Sequence, residues 1–209
     1  MGTRFLICVV KDEQYRVAQY GQWDGDPEGQ GIDILMFLRE RLNRPLFEKQ
    51  LGKLSWITEE EFEQEWISCG GIANGGVITA NFKACDEYAR RFPHNNRDTG
   101  SKILDIIQKT DNCLKIRNSL DFAADSLWCE WAYIIDLDKN TFEIYKGFNK
   151  QPLQEGERFV TFTPPKRNPQ YSSQYYPVKF VVAFNLNDLP TKEEFLEKFI
   201  KPDGDQVLE

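Results

Sequence analysis

The chain has 209 residues, of which 41% are hydrophobic and 28% charged, and its 26 basic and 33 acidic side chains give a formal net charge of −7. That length supports one large core burying roughly 70% of the unfolded surface, and the acidic balance speaks against a sequence-independent nucleic-acid binder, which needs a basic face for phosphates. No apolar run is long enough for a transmembrane helix, no secretory leader is visible, and Leu6 stands where a myristoylation signal requires Ser or Thr, so a cytoplasmic protein without a membrane partner is expected.

The chain opens on an apolar strand, Phe5 to Val10, a charged turn at Lys11-Asp12-Glu13, and a second strand from Tyr15 to Tyr20. A strand this near the first residue implies that the chain start is tied into the sheet. The loop from Gly21 to Gly31 leads to a helix expected over Gly31 to Asn43, with Ile32, Leu35, Met36, Leu38 and Leu42 at helical spacing and Pro45 as its stop. Thr58 followed by Glu59-Glu60-Glu61 reads as the capped start of another helix. Glycines at 70, 71, 75 and 76 break regular structure and suggest a mobile loop. Further helices are expected over Asn81 to Phe92 and around Ile103 to Ile107, and residues 112–127 read as helix or loop.

From Trp128 the composition turns aromatic and β-branched. Trp128 to Leu137 and Thr141 to Tyr145, joined by Asp138-Lys139-Asn140, form the clearest hairpin. Gly156 to Phe162 and Val178 to Phe184 read as strands, Pro164 to Pro177 as a loop, Thr191 to Ile200 as a helix, and residues 202–209 as a frayed tail. Strands and helices are segregated rather than alternating. The expectation is a single α+β domain over 1–209 with largely antiparallel sheets and packed helices.

Five cysteines at irregular spacings (Cys8, Cys69, Cys85, Cys113, Cys129), beside the single His94, read as free buried thiols; neither a metal nor a cofactor is expected. As the one histidine, His94 is the natural candidate for a general base near neutral pH, with Cys69 or Cys85 as a thiol partner, against the plainer reading of a solvated loop residue. Arg97 and Asp98 read as a cap for the helix after Thr99. Asp136 and Asp138, two apart at a hairpin end, are either turn acids or a carboxylate pair for acid–base work. Tyr171, Tyr175 and Tyr176 in the Pro-rich loop are candidates for a partner surface.

Met1-Gly2-Thr3-Arg4, the hairpin after it and Gln22-Trp23-Asp24 together resemble the opening of N-terminal-nucleophile (Ntn) hydrolases, in particular the choloylglycine hydrolase and penicillin V acylase branch. The start also resembles a set of proteins beginning Met-Gly-Thr-Arg with a Gln-Trp-Asp-Gly-Tyr-Pro-Glu-Gly-Gln-Gly-like loop, in which Asp26 here replaces the tyrosine. Asn96 to Gly100 and Tyr133 to Asp138 fit that set too. The Ntn resemblance implies an αββα sandwich and an N-terminal Cys, Ser or Thr whose own amine is the general base. Gly2 occupies the nucleophile's position and has no side chain to attack with. Two functions follow as expectations. One is a non-catalytic Ntn-like protein that binds a small molecule or a protein partner near Gly2, Trp23, Asp26 and Glu28. The other is an amide-bond hydrolase with Thr3 as nucleophile after loss of Met1-Gly2, oriented by Asp24 and with its amine tuned by Arg4 or Lys11.

Asp24, Asp26 and Glu28, with Gly29, imitate the first half of an EF-hand loop, but Leu35 stands where the bidentate Glu belongs. A looser cation site, an anion held by the backbone at Gly29-Gln30-Gly31, or a turn in which Asp24 and Asp26 cap backbone groups are the alternatives.

Overall fold

The computed structural model describes residues 2–74, 76–166 and 174–199. Strands β1 (Phe5–Lys11) and β2 (Gln14–Gly21) form the first hairpin. Its tip holds Asp12 and Glu13 in left-handed conformations, φ 55° and 58°. That backbone suits a tight two-residue hairpin turn and is costly for non-glycine residues. The Asp138 carboxylate offsets the cost by accepting both tip N–H groups, at 2.9 and 2.8 Å. A bulge between Val9 and Val10 adds one residue to β2.

The helix expected over 31–43 is present, beginning earlier and ending at Arg41, but it is less regular than its periodicity suggests. α1 (Ile32–Met36) is regular, but wide turns flank it, in which Gly31 N–H reaches Asp26 O at 3.2 Å and Leu42 N–H reaches Phe37 O at 2.8 Å. Such π-type turns are rare and concentrate at functional sites. Pro45 does not only stop a helix; it starts one. α2 (Arg44–Leu51) takes Pro45 in its first turn, where a missing N–H costs nothing, and Asn43 caps it.

β3 (Ser55–Trp56) precedes α3 (Glu59–Ser68), where Thr58 and Glu61 make the anticipated reciprocal cap. The glycine-rich stretch is a small hairpin rather than a loop, with β4 (Ile72–Asn74) and β5 (Val77–Thr79) flanking its turn; Gly75 lies outside the described residues. α4 (Phe82–Arg91) is capped by Asn81, and α5 (Lys102–Lys109) follows. β6 (Lys115–Ile116) pairs in parallel with β3, and a 3-10 turn spans Leu120–Ala124. β7 (Trp131–Asp136), β8 (Thr141–Lys146), β9 (Lys179–Asn185) and α6 (Lys192–Glu197) complete the chain. Residues 156–162, expected as a strand, form turns, with Phe159 as their buried anchor. Tyr171, Ile200 and the tail from 202 lie outside the described residues.

The fold is α+β. Its five-stranded sheet has the order β2-β1-β7-β8-β9; every neighbouring pair is antiparallel except the central β1–β7, which is parallel. Alternation along β1 serves two cores. Phe5, Ile7 and Val9 meet Ile34, Phe47, Ile103, Leu104 and Phe195 from α1, α2, α5 and α6. Leu6, Cys8 and Val10 meet Ala123, Cys129, Phe159 and Val178 from irregular segments on the opposite face. Helices therefore cover one face and turns the other. The second sheet that an αββα sandwich stacks on the first is not among the described residues.

Candidate functional site

The chain start threads between the two hairpin ends. Gly25 N–H donates to Thr3 O at 3.0 Å, and Arg4 O accepts from Glu130 N–H at 3.1 Å. Tyr133 Oη donates to Gly25 O at 2.8 Å from inside the core. The Trp23 ring lies where a side chain on residue 2 would go: a Cβ on Gly2 would stand 2.2 Å from a ring carbon of Trp23 and 2.5 Å from Gln22 O. Glycine is required here by close approach. The indole N–H in turn donates to Asp98 Oδ1 at 2.8 Å, so Asp98 anchors Trp23 rather than capping α5.

Asp24 is exposed with φ 56°, a strained conformation for a residue with a Cβ. Its carbonyl accepts from Gln30 N–H at 2.8 Å. Among the described residues no hydrogen bond joins its carboxylate to Thr3. Asp26 caps the wide turn, its carboxylate accepting from Gly29 N–H at 3.0 Å. Glu28 is exposed. The described residues hold no group of three or more His, Cys, Asp or Glu side chains placed for a metal ion, and Asp24, Asp26 and Glu28 form none.

Arg4 stacks on the indole of Trp128, 4.1 Å from guanidinium carbon to ring centre. Its backbone N–H donates to Glu130 Oε1 at 3.1 Å. Its buried Nε has the Glu130 carboxylate 3.7 Å away as counter-ion but makes no hydrogen bond. Residues 126–130 are bonded to the next loop: Gly147 N–H reaches Glu130 O at 2.8 Å, and Phe148 N–H reaches Ser126 O at 2.7 Å. Phe148 carries φ 54°, and its ring meets Tyr175 edge-on. The result is an aromatic rim at one end of the molecule. Trp23 is 48% exposed, Trp128 41% and Phe148 49%; Trp23 packs on Gly2, Trp128 on Arg4, and Phe148 is bonded to Ser126 beside Trp128.

Among the described residues no hydrogen bond joins His94 to Cys69 or Cys85. His94 packs against Phe92, its pKa lowered by burial, while Cys69 Sγ has Arg91 and Ser68 as partners. Cys8, Cys69 and Cys129 are buried free thiols, as expected, but Cys85 and Cys113 are exposed. Asp136 and Asp138 do not act together. Asp138 staples the first hairpin tip, whereas Asp136 turns inward to Arg158 at 2.5 Å.

Arg158 is a residue that sequence reasoning passed over. It also donates to both oxygens of Glu143, at 2.8 Å each, and Tyr145 Oη donates to Glu143 Oε2 at 2.7 Å. Burial alone would raise the Glu143 pKa; hydrogen bonding to Arg158 and Tyr145 holds it below the usual carboxylate value. The available signal was a charged residue at an inward register of otherwise apolar strands, Asp136 in one and Glu143 in the next. No helix among the described residues is long and apolar enough to cross a membrane. No protein-family model, curated protein or solved structure matches the chain.

Proposed function

We propose that this chain is a non-catalytic binding protein that receives a protein partner on the rim formed by Trp23, Trp128 and Phe148. The observation that carries this reading is the exposure of three large aromatic side chains around a chain start whose Gly2 position is filled. Aromatic residues and arginine are the groups that protein interfaces concentrate at their centres, and Arg4 lies stacked under Trp128. Two of the strained non-glycine residues, Asp24 and Phe148, sit in the rim; strain of this kind persists where function fixes a geometry. The likeness to Ntn hydrolases belongs to the same reading: the nucleophile's position is Gly2, and the Trp23 ring leaves no room for a side chain there.

A photo-crosslinking amino acid at position 128, introduced in the producing cell, tests the proposal. Discrete adducts are expected, lost on Trp23→Ala and absent when the crosslinker replaces Phe82 on α4. Adducts indifferent to Trp23→Ala would overturn the rim as the binding surface. Intact mass supplies a separate check, because a chain beginning at Thr3 would favour the amide hydrolase instead.

A further inference from the structure

The two edges of the five-stranded sheet are finished differently. The outer edge of β2 is closed by other parts of the chain. Ser119 N–H donates to Ala18 O at 2.9 Å, Gln19 Nε2 to Asn96 O at 3.3 Å and, just past the strand, Gln22 N–H to Arg97 O at 3.2 Å. Val17, Ala18 and Gln19 are buried. β9, at the opposite edge, has β8 as its one neighbour in the sheet. Among the described residues no hydrogen bond reaches the backbone of residues 179–184 from any element but β8. Phe180 is 45% exposed and Val181 40%, and Ala183 is exposed beside them.

An open strand edge is a template for another chain, and edges that stay single are guarded by prolines, charges or bulges. β9 reads Lys-Phe-Val-Val-Ala-Phe-Asn. It has no proline, and its one charge stands at the first position. A bulge inserts Val181, but near the strand's start, and residues 182–185 continue in regular register with β8. The same sequence indicates which strand fits. Five apolar residues lie between Lys179 and Asn185, so an antiparallel pairing about a twofold axis sets apolar residues against apolar ones and Lys179 against Asn185. No like charges meet. A twofold interface must be complementary to itself, and this strand is; it carries no charge pattern that would select a different chain. We propose that β9 pairs antiparallel with β9 of a second copy, joining two five-stranded sheets into one continuous ten-stranded sheet. The backbone N–H and C=O groups of the two edges supply the register, and Phe180 and Val181 supply apolar area removed from water. One strand pair is a small interface, so a dissociation constant in the micromolar range is expected, on the order of 10 µM.

Sedimentation equilibrium of the full chain from about 1 to 300 µM, a range that brackets that affinity, tests this. The mass should rise from one chain toward two. Nuclear Overhauser contacts in a mixture of labelled and unlabelled protein should join β9 to β9. Ala183→Lys, a charge in the middle of the exposed edge, should weaken the dimer at least about tenfold while the slow exchange of β7 amides shows the sheet intact. Val181→Lys, at a second exposed position, should do the same, and Phe82→Ala should change nothing. A single-chain mass at every concentration, a dimer indifferent to both lysines, or intermolecular contacts that exclude β9 would each overturn the proposal.

Discussion

The five-stranded sheet buries apolar side chains on both faces, with Phe5, Ile7 and Val9 on one and Leu6, Cys8 and Val10 on the other. The segment formed by α3, the β4–β5 hairpin and α4 closes over a far smaller cluster, Phe62, Cys69 and Tyr88. It is held by directional contacts instead. Trp66 stacks flat on Tyr88 at 3.8 Å, Tyr88 Oη donates to Glu65 at 3.0 Å, and Asn95 Nδ2 donates to both Glu65 oxygens. Arg117 covers the Phe62 ring at 3.9 Å and pairs with Glu59. The surface of this segment carries exposed Ile72, Val77 and Phe82. Burial gives the sheet stability that does not depend on any one contact, whereas a segment held by few buried groups opens first. Native-state hydrogen exchange should therefore show α3 and α4 exchanging through a lower-energy opening than β1 and β7.

The comparison breaks most sharply at Arg158. Arg158→Ala strands two buried carboxylates, and the expected loss is about 3–5 kcal/mol of global stability. Urea unfolding measures it, and a loss below about 1 kcal/mol would mean that water reaches Asp136 and Glu143. Tyr88→Phe is the matching change in the other region. It keeps the stack on Trp66 and removes the donor to Glu65, for about 1–2 kcal/mol. The loss should be seen in the exchange of α3 and α4 amides while the slowest sheet amides are unmoved.

Acid should divide the two regions by sign. Glu65 has its pKa raised, by burial first, against the lowering hydrogen bonds from Asn95 and Tyr88. Between its unfolded and folded values the native state binds more protons than the unfolded state, so the α3–α4 segment gains stability as pH falls through that window. Glu143 is lowered on balance. Its contribution is present above the unfolded carboxylate pKa and is lost as pH falls through the lower folded one. Exchange measured from pH 7 down to about pH 4, near the ordinary carboxylate values, should show α3–α4 opening made harder. Below that, protection around β7 and β8 should fall. Glu65→Gln should flatten the first slope only; a common slope in both regions would dissolve the distinction.

What the sequence disclosed follows the same division. The β1–β2 and β7–β8 hairpins announce themselves through apolar, β-branched runs and turn residues, and the caps at Thr58, Asn81 and Thr191 are local chemistry that short windows contain. Pro45 was half legible, since proline marks a boundary without saying on which side the helix lies. The parallel β1–β7 pairing joins residues more than a hundred apart, and no local pattern encodes it. The candidate site divides likewise. Gly2, Trp23 and Asp24 stood out as a motif, but Trp128 and Phe148 join them only through folding. Arg158 meets Asp136 and Glu143 across separate elements, and nothing in its own neighbourhood of turns signals a buried guanidinium.

The smallest predicted effect falls where the regions touch. Trp23 leaves the sheet's first hairpin and donates its indole N–H to Asp98, just beyond the α4 segment. Trp23→Phe keeps an aromatic ring over Gly2 but removes that donor. The bond is exposed, so water replaces much of it, and the expected loss is about 0.5 kcal/mol, the low end for a single hydrogen bond. That is too little to separate from error in a denaturation midpoint. Exchange of the amides bonded across this junction, Gln22 N–H to Arg97 O at 3.2 Å and Ser101 N–H to Gln30 Oε1 at 2.7 Å, is the sensitive readout. Faster exchange at both with β7 unchanged would make Trp23 a tie between sheet and segment. Unchanged exchange would leave its indole to the proposed partner surface rather than to holding the fold.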